Sequence, residues 1–402
     1  MKIIVQKYGG SSLATAEKIK NIAKRIVASQ RRAKTSLVIV VSAMGTTTNR
    51  LINLANTLSK SPQGRELDRL LSTGEEVSSS LLALAIKSLG KPALSLTGAE
   101  AGIITDQIHT KAKILLIDPR RIKRELKRGK IVIVAGFQGI SQKGEITTLG
   151  RGASDLSAVA LAKSLNAKRC EIFSDVKGIC TTDPAIVKEA KKIPSISYDE
   201  VLEIAGCGAQ VMHGRSVELA KKFRVPLLVG SSFSKEKGTI IKDKTSVEAP
   251  CVSGVTLNEK EVKISIFRVL DRPGIAAKIF GSIAKNGINV DMIVQNVSKE
   301  GYTDLSFTVS IDNLEETVKV TKRIALVIGA GKVSFDKDIA RVSIIGLGMQ
   351  SHPGIAARMF SVLAKNRINI KMITTSEIKI STVVPKKDGK KSLRAVHKEF
   401  IE

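Results

Sequence analysis

The feature that most restricts how this chain can fold is a duplication in its C-terminal part. Asp271-Arg272-Pro273-Gly274-Ile275-Ala276-Ala277 recurs as Ser351-His352-Pro353-Gly354-Ile355-Ala356-Ala357, and the copies stay in step through Phe280 and Phe360, Asn286 and Asn366, Asn289 and Asn369, and Met292 and Met372. Self-similarity over such a span marks a duplicated module. Each copy reads as a strand, a Pro-Gly helix start, an amphipathic helix, an Ile-Asn turn and alternating strands such as 303–309 and 378–384, a small βαβ-type sandwich. Proline suits the first helical turn, where its missing N–H would have no partner anyway.

Ahead of the duplication, from Met1 to about Lys242, short β-branched runs alternate with longer helical stretches, which predicts an α/β fold with a largely parallel sheet. Ile3 to Val5, Leu37 to Val41, Ile131 to Ala135, Glu171 to Phe173 and Pro226 to Val229 have strand length and few polar residues, as strands covered on both faces do. Ile140 to Ile146 reads as a hairpin turning at Gly144. The loops after the strands, 42–49, 136–139 and 174–178, are small and polar, and in open α/β sheets such loops converge on a ligand crevice. A charged stretch from Lys242 to Pro250 reads as a linker. The expected division is therefore 1–245, 252–335 and 336–402.

With 402 residues, 43% of them hydrophobic, there is material for several buried cores. No apolar run approaches the ~18 residues of a membrane span and no signal-peptide pattern opens the chain, so a cytoplasmic protein is expected. Four scattered cysteines and four dispersed histidines argue against a disulfide framework or a zinc site. The net charge of +28 suggests nucleic acid, but the basic residues interleave with apolar ones at helical spacing and aromatics make up only 3%, so solvated helix faces account for them better.

Two stretches carry candidate chemistry. Lys7-Tyr8-Gly9-Gly10-Ser11-Ser12 joins the first strand to a helical segment through Ile19, Ile22 and Ile26; paired glycines admit an anion, Ser11 and Ser12 are placed to cap the helix, and its first-turn N–H groups would face the ligand. On its own it reads equally as an ordinary turn. Leu149-Gly150-Arg151-Gly152-Ala153-Ser154-Asp155 repeats that logic at the start of a helix running to about Leu165.

These motifs, together with Val41-Ser42-Ala43-Met44, Ser72-Thr73-Gly74-Glu75, Thr181-Thr182-Asp183-Pro184 and the two Pro-Gly-Ile-Ala copies, resemble aspartate kinase over essentially the full length. The resemblance implies an amino acid kinase fold, three-layered around a largely parallel sheet, followed by two ferredoxin-like βαββαβ ACT domains. It implies phosphorylation of the side-chain carboxylate of L-aspartate by ATP with Mg²⁺, on the route to lysine, threonine and methionine. Such a nucleophile, with an ordinary pKa of about 3.9, needs no general base, and no His/Asp or Ser/His arrangement is evident in the sequence to supply one. The lack of a Gly-x-x-x-x-Gly-Lys loop separates the chain from P-loop enzymes.

By the same resemblance Lys7 faces the transferring phosphoryl group, and Asp155 orients Lys7 and the substrate. Arg151 holds the α-carboxylate of aspartate, Glu75 accepts from its ammonium group, and Ser42, Thr48 and Ser154 line that pocket. Gly9, Gly10 and Ser11 lie under the phosphates, while Ser174, Asp175, Cys180, Thr181, Asp183 and Gln210 fall where the family holds the nucleotide. No metal-ligating side chain is assigned. In the duplicated half, Asp271, Gly274, Ala276, Asp291 and Gln295, with Asn369, Ile370, Ser376 and Glu377, match effector positions, which implies lysine or threonine as effector and a homo-oligomer paired through these modules.

The chain departs from the family pattern at several of these places. Gln210 stands where lysine is usual, Ala185 where arginine is common, Cys180 for a frequent tyrosine, Thr46 for lysine and Ala153 for glycine. Two other readings are a related kinase acting on a different carboxylate or carbamate, and a catalytically silent amino-acid-binding subunit.

Overall fold

The computed structural model describes residues 2–33, 35–150, 152–209, 212–243, 250–296 and 301–401, and it divides into two compact units. One comprises 1–179, 192–205 and 210–246; the other comprises 180–191, 206–209 and 247–402.

The first unit opens with β1 (Ile3–Tyr8), α1 (Ala16–Ala33), β2 (Ser36–Val41), α2 (Thr47–Leu58) and α3 (Arg65–Lys87). Then come β3 (Ala93–Leu96), β4 (Ile103–Thr105), β5 (Ile114–Ile117), α4 (Arg120–Lys127), β6 (Ile131–Ala135), β7 (Gln138–Ser141) and β8 (Ile146–Thr148). It closes with α5 (Ser154–Ser164), β9 (Cys170–Ser174), β10 (Ser195–Ile196), α6 (Tyr198–Gly206), α7 (Gly214–Phe223), β11 (Leu227–Ser231) and β12 (Thr239–Ile241). Among the described residues an eight-stranded sheet runs β10-β12-β11-β9-β1-β2-β6-β3, parallel except where β12 meets β11.

The sheet is buried because both faces are covered. Ile4, Leu37, Ile39, Ile131 and Ile133 share one apolar cluster with Ile19, Ile22 and Ile26 of α1 and Leu82 and Ile86 of α3. On the other face lies α5, whose residues from Ser154 to Ala162 are all buried. Each fully buried Ile or Leu contributes about 1.5–3 kcal/mol, and β2 from Leu37 onward and β6 are continuous apolar runs. A second sheet, β5-β4-β7-β8, carries the expected hairpin, with Gly144 at φ +80 in its turn.

The second unit contains β13 (Gly254–Asn258), β14 (Glu261–Leu270), α8 (Ile275–Lys285), β15 (Ile293–Gln295), β16 (Tyr302–Ser310), α9 (Leu314–Val327) and β17 (Val333–Asp336). These are followed by β18 (Ile339–Ile345), α10 (Ile355–Lys365), β19 (Met372–Ser376), β20 (Lys379–Pro385) and α11 (Gly389–Ile401). The first module is βαββαβ with sheet order β15-β16-β14-β17. The second has the order β13-β18-β20-β19, so its fourth strand comes from ahead of the first module. This differs from the linear division into 252–335 and 336–402: the first module is inserted between β13 and β18. The physical reason is the open edge of β18, which β13 closes with an antiparallel ladder from Gly254 to Asn258. The modules share a small core in which the repeat-related Met292 and Met372 meet Ile339 and Val383.

Residues 180–191 pack with this unit as well. Val187 lies in the core of the second module, Val255 N donates to Thr181 O at 2.7 Å, and the Thr181 hydroxyl meets His397 Nε2 at 2.9 Å.

Candidate active site

The site is assembled at the carboxyl ends of β1, β2 and β6. Lys7 leaves the end of β1 and its Nζ lies 2.7 Å from Asp155 Oδ1, in the first turn of α5. Both side chains are 11% exposed, so the pair is largely shielded from water and its field is strong. Asp155 at a helix N-terminus also complements the helix dipole.

Beyond Tyr8 the chain does not pass straight into a helix. A 3₁₀ turn, Gly10–Leu13, intervenes, closed by Ser12 N donating to Gly9 O. The Gly9 amide is used by Phe173 O at 3.0 Å, and the Ser12 hydroxyl pairs with that of Ser232. Helix α1 is capped by Thr15, whose hydroxyl accepts from Lys18 N, rather than by Ser11 or Ser12. Gly10 is why the turn is tight: a Cβ there would sit 2.8 Å from Ala43 O and 3.0 Å from Gly45 O. The strand ends after β1 and β2 are thereby brought into backbone contact, with Gly45 N donating to Gly10 O.

Glu75 enters from α3. Its Oε1 accepts from Ala43 N at 3.0 Å, while Oε2 is buried with no hydrogen-bond partner among the described residues. Burial pushes its carboxyl up to about 7, held back by the Ala43 amide and by the charge of Lys7. Helix α3 approaches this closely because residue 74 is glycine; a Cβ there would meet Ala43 Cβ at 2.8 Å. Ser42 N donates to Tyr8 O, and its carbonyl accepts from the Ser78 hydroxyl. Gly136 lets β6 abut Ser154, whose Cβ would lie 2.9 Å from an added Cβ. Thr48 stands on a neighbouring cavity of about 400 Å³ walled by Leu67, Leu71, Phe137 and Thr148.

The structure therefore brings Lys7, Gly9, Gly10, Ser42, Glu75, Ser154 and Asp155 to one end of one sheet. Ser11 lies in the 3₁₀ turn beside them. Ser174 ends β9 and its hydroxyl accepts from Val176 N, while Asp175 is exposed. Cys180, Thr181 and Asp183 fall in the second unit; the Asp183 carboxylate accepts from Ala185 N. Arg151 and Gln210 lie outside the described residues. Ala153, in place of the family glycine, has φ −78 and packs among Leu71, Phe137 and Leu149, a setting that a side chain suits.

Two residues near this cluster were not legible in the sequence. His213 takes the N-cap position of α7 beside Gly152, and burial and Arg215 hold its imidazole below the ordinary histidine value. Arg215 donates to Leu149 O at 2.7 Å and to Ala112 O at 3.3 Å. Their only signal is adjacency to the Gly208-Ala209-Gln210 stretch.

In the second unit Asp271, Gly274, Ala276 and Gln295 line a cavity of about 300 Å³ at the start of α8, where Gly274 takes φ +90. Asp291 is exposed ahead of β15. Of the second-module candidates, Asn369 is exposed, Ile370 packs on the module core, Ser376 ends β19, and Glu377 accepts from Gln350.

The amino acid kinase family profile matches residues 2–231, and ACT domain profiles match 264–326 and 342–400. An aspartate kinase of Stutzerimonas stutzeri is 48% identical over 402 residues, covering 100% of this chain and 97% of that protein. The chain belongs to the amino acid kinase family, among its aspartate kinases. An aspartokinase of Helicobacter pylori is likewise 48% identical, with 98% of each chain covered. Among solved structures, Escherichia coli aspartokinase III in complex with aspartate and ADP superposes with a TM-score of 0.82 at 25% identity over 100% of both chains. The same enzyme in complex with lysine and aspartate gives 0.78 at 26%.

Proposed function

We propose that this chain is an aspartate kinase, transferring the γ-phosphoryl group of ATP to the side-chain carboxylate of L-aspartate. The observation that carries the reading is the shielded Lys7–Asp155 pair beside Glu75, whose buried Oε2 has no hydrogen-bond partner among the described residues. A buried acceptor in want of a donor suits an ammonium group. Arg151, by its place in the motif, would take the α-carboxylate in a bidentate pair, leaving the side-chain carboxylate directed at Lys7. That carboxylate is already ionised, so an oxygen attacks the γ-phosphorus, the bond to the β,γ-bridging oxygen breaks and ADP departs, with no proton transfer required. Phosphoryl transfer then rests on positioning and charge neutralisation, and Lys7 supplies the fixed charge.

Gly9 and Gly10 leave room for phosphate against the backbone, and Ser11, Ser174, Asp175, Cys180, Thr181, Asp183 and Gln210 are proposed on the nucleotide side. Mg²⁺ retains several waters and needs few carboxylates; bound to the nucleotide phosphates, it would neutralise their charge. A hydroxamate assay for aspartyl phosphate, with ATP, Mg²⁺ and aspartate, tests the reading. Product dependent on aspartate supports it, and no product from folded protein favours the silent subunit. Gln210→Lys should lower the KM for ATP roughly tenfold by adding a phosphate-facing cation; unchanged steady-state kinetics would show that another residue fills the role.

We further propose that the cavity at Asp271 to Ala276 takes an amino-acid effector, lysine with or without threonine. Its carboxylate would face the N–H groups at the start of α8 and its ammonium Asp271. β15 and β19 are edge strands whose repeat-related Ile293 and Ile373 are 51% and 42% exposed, which suits pairing with a second copy. Saturating lysine is expected to lower activity and raise the melting temperature, and Asp271→Ala to remove both effects. If neither lysine nor threonine changes activity or melting, the effector reading is lost.

A further inference from the structure

We infer that Asp68 is a positioning residue for the amino-acid substrate: from the helix that carries Glu75 it holds the strand end and loop that lead to Arg151, and so sets the spacing between the two groups that grip the substrate. The inference rests on the aspartate kinase reading of Glu75 and Arg151.

Asp68 is fully buried in α3. Its carboxylate is surrounded by donors from two other segments. Thr110 N lies 3.1 and 3.0 Å from its two oxygens, His109 Nδ1 lies 2.8 Å from Oδ2, and the Thr148 hydroxyl donates to Oδ1. A desolvated carboxylate is retained only with such a full set of partners. Although the sequence showed no His/Asp arrangement, the fold makes one, and it joins chain segments rather than facing Lys7. The other ring nitrogen of His109 lies 3.6 Å from Glu145.

The segments so joined lead to the substrate groups. Thr148 ends β8, three residues before Arg151. Thr110 is held at φ +66, a left-handed conformation unfavourable for a β-branched residue, and its carbonyl lies 3.6 Å from where a Cβ on Gly150 would be. Such strain persists only where surroundings over-determine it. Ala112 N donates to Thr148 O at 2.9 Å, and Arg215 bonds the carbonyls of both Leu149 and Ala112, so the 106–112 loop and the approach to Arg151 are laced together. Asp68 ties that laced pair to α3. Glu75 follows seven residues later, two turns along and on the same helical face.

The experiment compares wild type with Asp68→Asn, Thr148→Val and Glu75→Gln in steady-state assays that vary aspartate and ATP separately, with melting temperatures alongside. Asp68→Asn places an amide N–H₂ among donors, and the KM for aspartate should rise about tenfold or more, with the KM for ATP and kcat changed about twofold at most. Thr148→Val, which removes one bond of the set from a site that stays packed, should shift the same constant in the same direction and serves if Asp68→Asn does not fold. A purely structural role would lower melting temperature and active fraction and leave the KM for aspartate alone; that result in both variants, with Glu75→Gln raising it, overturns the inference. If Glu75→Gln also leaves the KM for aspartate unchanged, the reading of the site falls and the inference with it.

Discussion

Lys7→Ala is expected to lower kcat by about 10³-fold, the loss seen when a preorganised charge aimed at a developing anion is removed from a shielded site. The side chain sits at the end of β1 with its ammonium 2.7 Å from Asp155, so the charge is fixed before substrate arrives. The variant leaves the Asp155 carboxylate, 11% exposed, without its cation, and some loss of stability, about 1–3 kcal/mol, should accompany the loss of rate. Asp155→Asn separates these effects: it leaves Lys7 in place but free to move, and kcat should fall less. Effector-induced shifts in melting temperature should survive in Lys7→Ala, because the second unit has its own cores. A Lys7→Ala enzyme within tenfold of the wild-type kcat would overturn the assignment.

Glu75→Gln should raise the KM for aspartate by about 30- to 150-fold, since a charge-assisted hydrogen bond of about 2–3 kcal/mol is replaced by an amide whose donors oppose an ammonium group. The pH dependence carries a second signature. Burial raises the Glu75 carboxyl from 4.5 to about 7. A raised acid contributes stability that is present below about 4.5 and lost as pH rises through about 7. Gln mimics the protonated form, so the variant should gain melting temperature relative to wild type between pH 5 and 8. Over the same window kcat/KM for aspartate should rise in wild type, because only the ionised carboxylate accepts the ammonium group, and this limb should vanish in the variant. Parallel melting curves across pH for the two proteins would contradict the buried-carboxyl account.

Much of this was legible in the residues. The five short runs with few polar residues became β1, β2, β6, β9 and β11, since a strand covered on both faces is largely apolar, most clearly from Leu37 to Val41 and from Ile131 to Ala135. The short β3, β4, β5, β10 and β12 carry no such signal, being strands of two to four residues at or next to an edge of the main sheet or in the satellite sheet, whose pairing depends on the assembled fold. The duplication announced two modules, yet the ladder of β13 on β18 had no local signal, since edge closure is a property of the assembled sheet.

The candidate site divides in the same way. By itself the sequence, through the motifs that carry the family resemblance, named the candidates for the proposed chemistry, a lysine on the first strand, an acid opening the helix after Arg151 and a glutamate following Gly74. The resemblance implied that Asp155 orients Lys7; only the tertiary structure decided that the two meet at 2.7 Å, that burial pushes Glu75 up to about 7, that Thr15 rather than Ser11 or Ser12 caps α1, and that Asp68 joins three segments. Pairing, desolvation and backbone approach are distances between segments far apart in the chain, and those distances exist only once the sheet has brought the strand ends together.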